Sequence, residues 1–203
     1  MERTIFGEGD GSGLKTFDLD IGKVGGLCCW EHLQPLSKYA MYSFGEQVHA
    51  ASWPSFSRRG PYAFGPEVSS AASQIYAVEG QCFVLMAVAV RDERVKEVLA
   101  DFYDKTESFK RGGGFANIFG PDGKSMVTPL PETEEGLLIA ELDLSNIVMA
   151  KAFADPAGHY ARPDVTRLLL NNNPAPRVQR METPMVTVEA GKSDEEQEER
   201  TVS

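Results

Sequence analysis

Within five consecutive positions the sequence places two thiols, a carboxylate and an imidazole: Cys28-Cys29-Trp30-Glu31-His32. A cysteine that ends a strand and precedes a helix can serve as a nucleophile. The sharp turn exposes the sulfur, and amides at the helix start stabilise negative charge on a thiolate or a developing intermediate. The competing reading of such a cysteine is a small apolar filler. Glu31 and His32 are placed to hold the elbow by hydrogen bonds. His49 and His159 stand alone in sequence, and a lone histidine is more often structural than a ligand. No Cys-x-x-Cys pair or Cys/His cluster has metal-ligand spacing. Three cysteines, Cys28, Cys29 and Cys82, make no disulfide framework. Reduced thiols are expected.

The elements that would position this elbow are read from periodicity. Residues 16–20 alternate apolar and polar side chains, as a half-buried strand does. Residues 21–23 turn the chain. Residues 24–28 form a second strand whose glycines admit a close neighbour. The spacing of apolar residues predicts a helix over 30–44, with Pro35 tolerated near its start. A short buried strand follows over 47–52, closed by Pro54. After a loop over 55–65, a helix starts at Pro66 with Val68, Ala72, Ile75, Tyr76 and Glu79 on one side. Residues 82–90 are apolar on both faces and predict a central strand covered on both sides.

Farther on, a short helix is expected over 92–102 and a surface loop over 104–114. Gly120-Pro121-Asp122-Gly123 predicts the turn of a hairpin spanning 115–127. A strand over 137–143 and a helix over 144–153 complete the pattern. Strands alternating with helices, plus a hairpin, predict a layered α/β (α+β) domain.

The chain has 203 residues, enough for one domain with a real core. Its formal net charge of −10 argues against nucleic acid and anionic membranes as partners. Five acids lie between Asp194 and Glu199, a solvated tail; disorder is expected from about Pro184. No apolar run is long enough to span a membrane. The first residues lack a basic stretch followed by an apolar one, so a cytoplasmic location without a signal peptide is expected.

The string Gly25-Gly26-Leu27-Cys28-Cys29-Trp30-Glu31-His32-Leu33-Gln34-Pro35-Leu36 resembles the nucleophile motif of the nitrilase branch of the carbon–nitrogen hydrolases. So do Lys38-Tyr39, Gln47-Val48-His49 and Ala51-Ser52-Trp53-Pro54 after it, and Phe6-Gly7-Glu8-Gly9-Asp10-Gly11-Ser12 before it. Further matches are residues 72–81, Gly120-Pro121-Asp122-Gly123, Glu134-Glu135-Gly136 and residues 155–164. The resemblance implies a hydrolase portion over residues 1–171, followed by an extension over 172–203.

It also implies the family's four-layer αββα sandwich with the N-terminal part missing. The implied reaction converts a small nitrile to a carboxylic acid and ammonia, and the resemblance implies no metal or organic cofactor for it. The implied nucleophile is Cys29, the cysteine directly before Trp-Glu, while Cys28 is expected as an inward strand side chain. The family's other catalytic groups are a Glu and a Lys, with a supporting Glu just after the Lys. Glu2, in Glu2-Arg3-Thr4, matches the supporting position; it reads equally as a solvated terminal acid. The Lys and the first Glu have no counterpart here, and neither Lys23 nor Lys38 matches the lysine motif.

The resemblance also implies the backbone N–H of Trp30 as a donor toward the developing nitrogen anion, and Trp30 stands with Trp53 as a substrate-binding candidate; a core tryptophan is the equal alternative for Trp53. His159 and Arg162 are expected to anchor the C-terminal segment. The partners implied are a second copy or a full-length relative. The rivals are a non-catalytic fragment and a cyanide hydratase or amidase.

Overall fold

The computed structural model describes residues 7, 9–56, 62–92, 94 and 112–175. Five strands form one sheet in sequential order: β1 (Phe17–Leu19), β2 (Gly22–Cys28), β3 (Val48–Trp53), β4 (Phe83–Val88) and β5 (Asn117–Phe119). The two outer pairs, β1 with β2 and β4 with β5, are antiparallel, and β2–β3–β4 run parallel. Parallel neighbours need a crossover, and helices supply both. Helix α1 (Pro35–Ser43) links β2 to β3, and α2 (Pro66–Gly80) links β3 to β4. A third helix, α3 (Ser145–Ala154), follows the β5 turn.

The core lies between the sheet and the two crossover helices. Met41 and Tyr42 of α1 and Tyr76 and Ala77 of α2 pack on Leu27, Ala51, Trp53, Val84, Met86 and Phe119. Side chains alternate across a strand, so the intervening positions form the other face. Cys28, Ser52 and Ala87 make one row across the register, and Gly26, Ala50 and Leu85 the next. All six are exposed. Residues 82–90 were expected to be covered on both sides. The strand is central as expected, but only one of its faces is covered among the described residues.

Other expectations need correction. The predicted helix over 30–44 is broken in two: a five-residue 3₁₀ turn, Cys29–Leu33, and then α1, with Pro35 at its first turn. Proline lacks an N–H, so it starts the α-helix instead of sitting inside it. The buried side of α2 is not the predicted apolar stripe. It consists of Pro66, Ser69, Ser73, Tyr76, Ala77 and Gly80, while Ile75 is 49% exposed. Small residues let the helix approach closely: a Cβ on Gly80 would lie 2.7 Å from the Tyr42 ring. The inward hydroxyls are satisfied, Ser73 Oγ accepting from Trp53 Nε1 at 3.0 Å.

Strand β1 was expected to be half-buried, yet its three residues are exposed at the sheet edge. Residues 137–143 form no strand, and Leu137 and Ile139 are exposed. A β pattern becomes a strand only where another edge accepts its hydrogen bonds. The Pro-Asp-Gly turn forms as predicted: Gly123 N–H donates to the Gly120 carbonyl at 2.8 Å, and Gly123 has φ +79°. The second arm of that hairpin is a single bridge, Phe119 to Ser125. The expected helix over 92–102, the loop over 104–114 up to Gly112, and the tail from Pro184 lie outside the described residues, apart from Asp92 and Arg94.

Candidate active site

Strand β2 ends at Cys28, and the next residue turns left. Cys29 has φ +50°, in a region that non-glycine residues rarely occupy. Strain of this kind is worth about 1–3 kcal/mol and persists only where the surroundings hold it. Two side chains from the same turn do so. Glu31 Oε2 accepts from the Cys28 N–H at 2.7 Å, and His32 Nδ1 lies 2.7 Å from the Cys29 carbonyl oxygen. Both side chains thus grip the elbow backbone, in the role the sequence assigned them.

The three cysteines form no disulfide. Cys28 is exposed on the open sheet face rather than turned inward as expected, because alternation from buried Leu27 places it there. Cys29 is half-buried. Cys82 is buried, and burial, aided by the Glu46 charge, pushes its thiol well above the ordinary range. That leaves Cys28 and Cys29 as the reachable sulfurs.

Trp30 is 42% exposed and stacks on Phe64 at 4.9 Å, and Phe56 lies 5.2 Å from Phe64. An aromatic surface therefore begins one residue from Cys29. Trp53 belongs to the buried core against which Cys29 packs. It is 6% exposed, donates to Ser73, and stacks on His32 at 4.9 Å. Its side chain is part of the core beneath the elbow. Glu2 lies outside the described residues.

Lys38 pairs with Glu79 at 2.5 Å, and Lys23 with Asp18 at 2.7 Å. Arg162 closes on Asp164 at 2.6 Å, with both side chains exposed, and His159 meets only the edge of Tyr160 among ring contacts between described residues. A cavity of about 670 Å³, lined by residues such as Gln81, Phe83, Met126 and Phe153, includes none of the elbow residues. No group of three or more metal-ligating side chains occurs among the described residues, and no described helix is long and apolar enough to cross a membrane.

Two residues at this site escaped the sequence reading. His32 Nε2 lies 2.9 Å from His49 Nε2, and His49 Nδ1 lies 2.8 Å from Glu46 Oε1. The signal was an ionisable pair, Glu46 and His49, leading into a strand whose inward positions are buried. Gly25 makes room for it: a Cβ there would lie 2.1 Å from Glu46 Oε1. The close neighbour expected for the β2 glycines is this carboxylate.

Residues 1–152 match the carbon-nitrogen hydrolase family. A nitrilase of Pseudomonas syringae pv. syringae is 58% identical over 180 residues, covering 88% of this chain and 54% of that protein. An aliphatic nitrilase of Rhodococcus rhodochrous is 47% identical, covering 92% and 50%, and an arylacetone-specific nitrilase of Alcaligenes faecalis 48%, covering 84% and 49%. The chain thus spans about half the length of the curated relatives it matches. Among solved structures, the carbon-nitrogen hydrolase of Helicobacter pylori G27 shares the fold, with TM-score 0.58 at 15% identity over 77% of this chain and 54% of that one. The chain therefore belongs to the carbon–nitrogen hydrolase family, in its nitrilase branch.

Proposed function

We propose that the chain carries the nucleophile-bearing part of a nitrilase, with Cys29 as the nucleophile. The observation that carries this reading is the backbone of Cys29. A half-buried thiol held at φ +50° between a strand and a turn, beside an aromatic surface, is strain kept in place by its own neighbours. Strain so held concentrates at active sites.

The steps are those that the resemblance to the nitrilase branch implies. The Cys29 sulfur adds to the nitrile carbon, and the nitrogen takes a proton, giving a thioimidate. Water adds to that carbon and ammonia leaves, giving a thioester. A second water adds, the C–S bond breaks, and the carboxylic acid departs as the thiol recovers its proton. One difficult hydration becomes two easier displacements. Developing charge on nitrogen needs a donor, and the Trp30 N–H is the candidate within this chain. The Trp30–Phe64 stack offers an apolar surface to the organic part of the nitrile. None of these three steps calls on a metal or an organic cofactor.

The family's Lys and first Glu have no matching position among these 203 residues, and Glu2 is the candidate for the supporting acid. This favours a second reading, in which the 203-residue chain alone does not turn over and requires a full-length relative or upstream residues. The experiment is ammonia release from benzonitrile and a short aliphatic nitrile. It compares this chain, a version extended upstream to include a Lys-Leu-Lys-Pro-Thr type segment and the first Glu, and the extended version with Cys29→Ala. Activity in the extended chain alone, abolished by Cys29→Ala, is the expected result. Turnover that survives Cys29→Ala refutes the reading. Release of the amide without ammonia indicates a hydratase instead.

A further inference from the structure

Behind Cys29 runs a line of side chains that nitrile chemistry does not touch. His32, His49, Glu46 and Tyr76 are each at most 1% exposed. They connect in order: Cys29 carbonyl to His32 Nδ1, 2.7 Å; His32 Nε2 to His49 Nε2, 2.9 Å; His49 Nδ1 to Glu46 Oε1, 2.8 Å. The Tyr76 hydroxyl donates to Glu46 Oε2 at 2.6 Å. The His49 ring also lies 3.8 Å from the Tyr76 ring, nearly parallel to it.

Hydrogen bonds between these groups can be counted in protons. A carbonyl oxygen only accepts, so His32 Nδ1 must carry a hydrogen. Of the two facing Nε2 atoms, one carries a hydrogen and the other a lone pair. The contact between His49 and Glu46 needs a third hydrogen. Two neutral imidazoles own two hydrogens between them. A pair of neutral rings with a carboxylate is therefore one short, and one contact would set two lone pairs against each other. The line closes only with one extra proton, which brings the net charge of the two rings and the carboxyl to zero. A neutral unit is also what a buried site tolerates.

Among the described residues, the neighbouring charges are engaged with other partners. Lys38 of α1 pairs with Glu79 of α2, which also accepts from the Tyr42 hydroxyl at 3.0 Å. Lys151 of α3 pairs with Asp155 at 3.3 Å. Burial holds the Cys82 thiol and the Tyr42 and Tyr76 hydroxyls in their protonated forms. Desolvation holds His32 neutral, its pKa lowered to about 4, against the pull of the Cys29 carbonyl and with a further push from His49 and Lys38. The extra proton therefore belongs to the contact between His49 and Glu46.

We propose that His32, His49, Glu46 and Tyr76 are positioning residues that lock the Cys29 elbow through a buried chain carrying one shared proton. His32 is the Nδ1–H tautomer, His49 carries Nε2–H, and the third hydrogen sits between His49 and Glu46. The chain grips the carbonyl of the left-handed residue, and with Glu31 on the Cys28 N–H it fixes the peptides on both sides of the turn. The positioning role rests on Cys29 being the nucleophile. The proton count does not.

The test is long-range proton–nitrogen correlation on the histidine-labelled 203-residue chain at neutral pH. A single fixed tautomer is expected for His32, with hydrogen on Nδ1 and a lone pair on Nε2, together with an Nε2-protonated His49. A His32 with hydrogen on Nε2, or one averaging between tautomers, overturns the proposal without recourse to any variant. Glu46→Gln presents an amide N–H to His49 and a carbonyl to Tyr76, supplying the third hydrogen without a titratable group. It is expected to keep the His32 tautomer that Glu46→Leu loses. Iodoacetamide labelling of Cys29 should slow about tenfold in Glu46→Leu and recover in Glu46→Gln, the size of one lost hydrogen bond. Equal behaviour of the two variants overturns the shared-proton assignment. A Cys29 that stays unreactive while His32 shows the expected tautomer overturns the positioning role and the nucleophile reading but leaves the count intact.

Discussion

His32 should make the fold sensitive to mild acid, and the size of the effect follows from its burial. Its pKa is lowered from 6.5 to about 4, desolvation being the largest cause. In the unfolded chain the ring protonates near 6.5, while in the folded chain it stays neutral down to about 4. Between those values the unfolded state binds more protons, so stability falls as pH falls. At 1.4 kcal/mol per pKa unit, the loss is about 2 kcal/mol between pH 7.5 and 5 and about 3 kcal/mol by pH 4. The assay is urea unfolding across this range, comparing the chain with His32→Asn. Asparagine keeps a side-chain donor for the Cys29 carbonyl but does not titrate. The variant should be less stable at pH 7.5 and should lose less stability on acidification, by about 2 kcal/mol at pH 5. Identical pH slopes in the two proteins would refute the claim that His32 is buried in its neutral form.

Two further substitutions probe the elbow from opposite sides. Gly25→Ala should destabilise by about 1–3 kcal/mol, because its Cβ would meet Glu46 Oε1 at 2.1 Å and Met41 Cε at 2.6 Å, and it should release the His32 tautomer; a thermal melt unchanged from the parent contradicts this. Cys29→Gly should melt higher than Cys29→Ala by the equivalent of about 0.5–1 kcal/mol, since both lack the sulfur and only glycine is unstrained at φ +50°; a lower melt for the glycine variant shows that the backbone there is not strained.

The parts of the sequence that could be read were those whose meaning is local. The glycines of β2, the abrupt Cys-Trp-Glu-His turn, proline at the start of α2 and the Pro-Asp-Gly turn each announce a backbone geometry by themselves. Misreadings arose where a neighbour distant in sequence decides. Residues 137–143 carry a strand pattern but meet no strand edge among the described residues. The inward face of α2 is serine, alanine and glycine because the Tyr42 ring and Trp53 press against it, which apolar spacing does not reveal. Trp53 could be read as pocket wall or core, and only the register of β3 turned it inward. His49 looked isolated because its partner, His32, is seventeen positions away. Register across β2 and β3 brings them together, and a single chain does not display register.

The central claim is that Cys29, and not the more accessible Cys28, is the activated thiol. Accessibility and geometry here point to different residues, so one measurement separates them. Limiting iodoacetamide at neutral pH, followed by peptide mapping, reads the relative labelling of Cys28, Cys29 and Cys82. Cys82 serves as the buried reference, its thiol held protonated chiefly by desolvation. The account predicts that Cys29 is labelled first despite being half-buried, with Cys28 slower and Cys82 unlabelled until the chain unfolds. Labelling in order of exposure, with Cys28 ahead of Cys29, would contradict it.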